Sequence, residues 1–116
     1  MLKKENRLKK EAEVKLVFSK GRSVFDSVCG FKYQRNGLNK SRFAIMVGTK
    51  ISKSAVKRNC IRRRVSEILR LNKKKIKVGY DFTFIARPEA LGASYQEIEK
   101  RILGGLEKAG MVNFTN

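Results

Sequence analysis

The chain has 116 residues, 28 of them Lys or Arg against 10 Asp or Glu, for a formal net charge of +18. That length suits one domain, and 41% apolar residues are enough for a small core. With no His and only two Cys, the composition excludes imidazole catalysis and a four-ligand Cys/His zinc centre. No stretch reaches the ~18 apolar residues of a membrane helix. So basic a chain meets polyanions, phosphate above all. The charge is uneven: residues 1–75 carry 23 basic and 5 acidic side chains, and residues 76–116 carry 5 of each.

Residues 1–10 read as a basic, mobile arm, followed by a single domain over residues 11–116. Val14, Val17 and Phe18 fall at helical spacing, which predicts a helix over Glu11–Lys20, ended by Gly21. Ser23 to Gln34 is strand-like, with Gly30 suggesting a bulge or bend. Asn36-Gly37 is a turn signal, and Phe43, Ile45 and Val47 alternate within Arg42–Gly48. Two strands so joined predict an antiparallel hairpin.

Ser54–Leu71 is the longest helix, with an apolar stripe of Ile61, Val65, Ile68 and Leu69 and an N-cap at Ser52 or Ser54. Tyr80–Ala86 is a further strand. Ser94 and Glu97 form a capping box before a last helix that buries Ile98, Ile102 and Leu106. Gly104 and Gly105 should weaken that helix by about 1 kcal/mol each. The pattern is α+β: a two-layer α/β sandwich with a central, mostly antiparallel sheet of three or four strands. Cys29 and Cys60 could pair on number alone. The basic N-terminus has no apolar run behind it, which favours free thiols and a cytoplasmic location.

The segment Lys50–Arg64 holds seven basic residues and no acid, and Glu67 is the only acid between Lys50 and Lys77. Like charges at helical spacing repel, so the density needs an external anion. A nucleic-acid backbone supplies one through charge-assisted bonds and counterion release. A DNA-reading helix-turn-helix needs a helix immediately before the recognition helix, and here a strand precedes it. Recognition of RNA shape and single strand fits better, and no DNA partner is expected.

Ala55-Val56, Arg58-Asn59 and Ile61-Arg62-Arg63 together resemble the signature helix of the bacterial ribonuclease P protein component. Arg7-Leu8-Lys9-Lys10, Val17-Phe18, Gly21-Arg22-Ser23, Gly79-Tyr80-Asp81, Ile85-Ala86-Arg87-Pro88 and Ser94-Tyr95 with Glu97-Ile98 extend the resemblance, in order, over most of the chain. It implies an α/β sandwich with a left-handed βαβ crossover. It implies a protein subunit beside a catalytic RNA, whose bound magnesium serves hydrolysis of the bond joining the 5′ leader to precursor tRNA. The protein would then carry no catalytic residue and no metal of its own. By resemblance Arg58, Asn59, Arg62 and Arg63 face RNA, with Lys50, Lys53 and Lys57 extending the patch, and Asn59 lies near RNA-bound magnesium. Phe18 and Val14 on the first helix, with Lys32 or Tyr33 on the sheet, line the cleft for the single-stranded leader.

The chain departs from the family pattern in places. The Arg-Asn-Arg core reads Arg58-Asn59-Cys60, Ser66 replaces another arginine, Val14 replaces an aromatic, and Arg64 would restore charge one turn from Cys60. The rival reading is a small basic ribosomal or other structural RNA-binding protein. A DNA-binding regulator and a stand-alone nuclease lack the residues they need.

Overall fold

A computed structural model describes residues 2–112; Met1 and residues 113–116, the ends of the expected arm and domain, lie outside the described residues. The elements in chain order are α1 (Glu11–Lys20), β1 (Arg22–Phe25), β2 (Cys29–Arg35), β3 (Arg42–Met46), α2 (Ala55–Asn72), β4 (Tyr80–Ala86) and α3 (Tyr95–Lys108). They form an α+β fold around one four-stranded sheet of order β1-β2-β4-β3. β1 and β4 both run antiparallel to β2, and β3 runs parallel to β4. The β3–α2–β4 unit is therefore a βαβ crossover between neighbouring strands.

The alternation of side chains assigns the two faces of the sheet. Phe31, Tyr33, Phe43, Phe82 and Phe84 belong to the main core, together with Ile61, Val65, Ile68 and Leu69 of α2 and Ile98, Ile102 and Leu106 of α3. Lys32, Arg42 and Asp81 point the other way, toward α1. Helices α2 and α3 thus form the layer over the aromatic face, and α1 crosses part of the opposite face. Ser54 caps α2 by accepting from the Lys57 N–H at 3.3 Å, and Ser94 caps α3 by accepting from the Glu97 N–H at 3.1 Å. Gly105 has a packing reason: a Cβ there would sit 3.1 Å from the Phe31 ring, whereas one at Gly104 would meet open space.

Three expectations are corrected. The segment Ser23–Gln34 is not one strand. It turns at Asp26, whose Oδ1 accepts from the Val28 and Cys29 N–H groups at 2.8 and 3.0 Å, giving the β1–β2 hairpin. Gly30 is needed because the Phe25 ring lies where a Cβ would be, 1.9 Å away. The Asn36-Gly37 turn forms, with Gly37 at φ +72°, yet β2 and β3 do not pair. β4 enters between them and bonds to both, because its residues 81–84 are buried on both faces and suit a central position.

The third correction concerns the arm, which within residues 2–10 is docked rather than free. Leu2 and Leu8 are 4% and 5% exposed. The Leu8 N–H donates to the Phe43 carbonyl at 2.8 Å, and Arg7 bridges to Phe43 along the outer edge of β3. Two leucines spaced among cations supply the anchoring that the mean charge conceals.

Both cysteines are free thiols. Burial, helped by the charge of Asp26 and opposed by Arg101, pushes the Cys29 thiol from 9.0 up to about 12. Its folded-state value is the raised one, so this stability is full below pH 9.0 and is lost as pH rises toward 12. Urea unfolding of Cys29→Ala and the parent chain should therefore differ by a gap that narrows as pH climbs above 9.0. A gap constant with pH would contradict the burial argument.

Candidate nucleic-acid interface

The basic patch is built on the first half of α2 and the loop that leads into it. Lys50, Lys53, Lys57, Asn59 and Arg63 are exposed, and Arg58 and Arg62 are half-buried. The buried stripe of Ile61, Val65, Ile68, Leu69 and Asn72 seats the helix on the sheet and turns this face outward. Two arginines are braced from behind. Arg58 Nη1 donates to the Ser52 carbonyl at 2.8 Å, and Arg62 Nη2 to the Val47 carbonyl at 3.2 Å. Arg62 Nη1 also donates to Asn59 Oδ1 at 2.6 Å. A braced guanidinium loses less rotamer freedom when it meets a phosphate.

Asn59 is thus exposed with its carbonyl oxygen held by Arg62. Arg64 does not join the patch. Its Nη1 donates to the Ala93 carbonyl at 3.1 Å, on the α3 side, so it does not replace the charge missing at Cys60. Ser66 is buried and its hydroxyl accepts the Leu2 N–H, so an arginine at this position would compete with the docked N-terminal segment.

A second feature lies on the opposite face of the sheet, under α1. Phe18 and Val14 are half-buried, one helical turn apart, and outside the main core. The Lys32 ammonium sits 4.7 Å from the Phe18 ring centroid and donates to the Phe18 carbonyl at 2.9 Å. Of the two sheet candidates, Lys32 faces this cleft. Tyr33 is 9% exposed and packs with Phe31, Phe82 and Tyr80 on the other face. A one-residue step along a strand reverses the face, and the strand pairing decides it.

Sequence reasoning missed the ion-pair hub that lies beneath α1. Arg42, at the start of β3, holds α1 to the sheet. Its Nε and Nη2 donate to Asp81 at 2.9 and 2.7 Å, and its Nη1 and Nη2 to Glu13 at 3.3 and 2.9 Å. The guanidinium is held above its ordinary value, chiefly by the bond to Asp81 and further by Glu13, against the effect of burial. Charge matching alone could have suggested such a partner, but not which of the chain's cations it was. The hub also occupies the two carboxylates nearest the cleft. Among the described residues no three His, Cys, Asp or Glu side chains gather where they could hold a metal ion. None of the helices described is long and apolar enough to cross a membrane.

The family model described as Ribonuclease P matches residues 2–110. The ribonuclease P protein component of Alkaliphilus oremlandii is 37% identical over 112 residues, covering 97% of each chain. The structure of the Staphylococcus aureus RNase P protein superposes with a TM-score of 0.85 at 28% identity, over 93% of this chain and 98% of that one. The Thermotoga maritima RNase P protein gives a TM-score of 0.81 at 28% identity, over 88% and 96% of the two chains.

Proposed function

The chain belongs to the ribonuclease P protein family, and from that premise we propose that it binds the catalytic RNA and the 5′ leader of precursor tRNA, assisting removal of the leader. The observation that carries this reading is the braced, acid-free face of Arg58, Asn59, Arg62 and Arg63 on α2, extended by Lys50, Lys53 and Lys57. That face supplies positioned cations for RNA phosphates. The cleft of Phe18, Val14 and Lys32 offers an aromatic ring and a cation to a single strand, the combination that holds unpaired bases and their backbone. Tyr33 is assigned to the core.

Hydrolysis belongs to the RNA in this reading. The chain has no His, and the carboxylates beside the cleft are engaged by Arg42. Magnesium, the cofactor, is then held by RNA phosphates, with Asn59 among the side chains nearest to them. The protein positions the RNA and screens its charge so that assembly needs less free cation.

The test is cleavage of precursor tRNA by a cognate ribonuclease P RNA at low magnesium, with and without this protein. The protein should speed cleavage several-fold, and equal rates would refute the reading. In the same system, Arg63→Ala should lower the slope of log affinity against log salt by about one. An unchanged slope would remove Arg63 from the phosphate contacts.

A further inference from the structure

A cavity of about 310 Å³ opens between the docked N-terminal segment, the edge strand β3 and the second turn of α2. It adjoins the outward face of α2, with which it shares Arg62 and Arg63, and lies apart from the Phe18 and Lys32 side of the sheet. Its lining is apolar at Leu8, Phe43 and Ile45 and basic at Arg7, Lys9, Arg62 and Arg63, with no acidic residue. Its volume is in the range of small-ligand pockets, too small for a duplex.

The strand edge adds hydrogen-bonding groups. β3 is an outer strand, and the Phe43 carbonyl points away from β4, since it accepts the Leu8 N–H. Main-chain groups two residues apart in a strand point to the same side. The N–H and C=O of Ile45 therefore face outward into the cavity mouth, just past the end of the Arg7 bridge. A main-chain donor and acceptor side by side can pair with the donor and acceptor on the edge of a nucleobase. Two of the rim arginines spend part of their donors within the fold, Arg7 on the Leu2 carbonyl at 3.0 Å and Arg62 on Val47 and Asn59. The Arg63 guanidinium makes no hydrogen bond among the described residues, so it is available to a phosphate.

We propose that this cavity receives one unpaired nucleotide of the RNA partner, its base on Leu8, Phe43 and Ile45 and its phosphate on Arg63. The proposal rests on the RNA-binding reading above and adds to it a site that reads a single base. The ring of cations selects an anion, and the apolar floor selects one that carries a flat apolar body.

The experiment follows the backbone amide resonances of the full-length protein as adenosine 5′-monophosphate, ribose 5-phosphate or inorganic phosphate is added. Adenosine 5′-monophosphate should shift the Ile45 and Leu8 amides saturably, with an affinity about tenfold tighter than ribose 5-phosphate. Equal affinities would reduce the site to a general anion contact and overturn the proposal, as would an Ile45 amide that never moves. Binding of the same protein to the catalytic RNA is measured alongside. If RNA binds while Ile45 stays unmoved, the pocket alone falls. If RNA does not bind, the RNA-binding reading falls with it.

Discussion

Replacing Arg42 with alanine should destabilise the protein by about 3 kcal/mol and, on the proposed function, weaken binding of leader-bearing tRNA. The guanidinium is 19% exposed, and its partners Asp81 and Glu13 are 9% and 33% exposed. Removing it leaves the Asp81 carboxylate buried with Asn36 Nδ2, 2.9 Å away, as its remaining side-chain donor among the described residues. That uncompensated charge is the main cost. Glu13 is the better-hydrated partner, so the figure falls at the low end for a broken buried ion pair. Arg42→Lys should recover less than half of the loss, since one ammonium cannot reproduce two forked contacts.

The functional consequence follows from where α1 sits. Without Arg42 the helix keeps the Lys32 bond to the Phe18 carbonyl but loses its fork onto the sheet, and Glu13 is left unpaired beside the cleft. Binding of leader-bearing precursor should weaken more than binding of mature tRNA. Urea unfolding with an unchanged m-value checks the first part, and paired affinities check the second. Equal loss for both tRNAs would mean that Arg42 serves only the fold.

Phe82→Ala should cost about 3–5 kcal/mol, a large share of a typical domain's stability. Phe82 is 0% exposed. Its ring lies 5.3 Å from Phe43, 6.0 Å from Phe31 and 6.1 Å from Tyr33. It pairs with Tyr33 on one side and Phe43 on the other, so it joins the two halves of the sheet beneath α2 and α3. The neighbouring Thr83 makes the contrast. It is equally buried, and its hydroxyl has no hydrogen-bond partner among the described residues. Thr83→Val removes that unsatisfied group at nearly constant volume, so it should be neutral or stabilising. Thermal or urea unfolding of both variants should give opposite or sharply unequal shifts. Similar losses would show that position in β4, not packing chemistry, sets the cost.

Much of the basic face of α2 was legible in the residue order. An N-cap at Ser52 or Ser54, the stripe from Ile61 to Leu69 and the outward direction of Asn59, Arg63 and Arg70 are all local facts. Helical periodicity links residues three or four apart, and one apolar stripe fixes which way the opposite face looks. The Ser94 cap and the buried line Ile98, Ile102 and Leu106 follow the same logic. The family resemblance rests on the same kind of short, ordered motifs, and the family match bears it out.

By itself, then, the sequence determined the helices, the Ser94 cap, the placement of the charge and the family, and it narrowed the α2 cap to two serines. Only the tertiary structure decided the strand order, the face taken by Lys32, the docking of Leu2 and Leu8, the turning of Arg64 toward Ala93 and the Arg42 hub. The physical reason is range. Asn36-Gly37 encodes a turn, but what lies beside β2 depends on which strand gains most from burial on both faces, and β4 arrives about forty residues later. The carboxylates of Arg42 likewise lie 29 and 39 positions away along the chain. Such pairings depend on the burial energy of the whole sheet, which no local pattern carries.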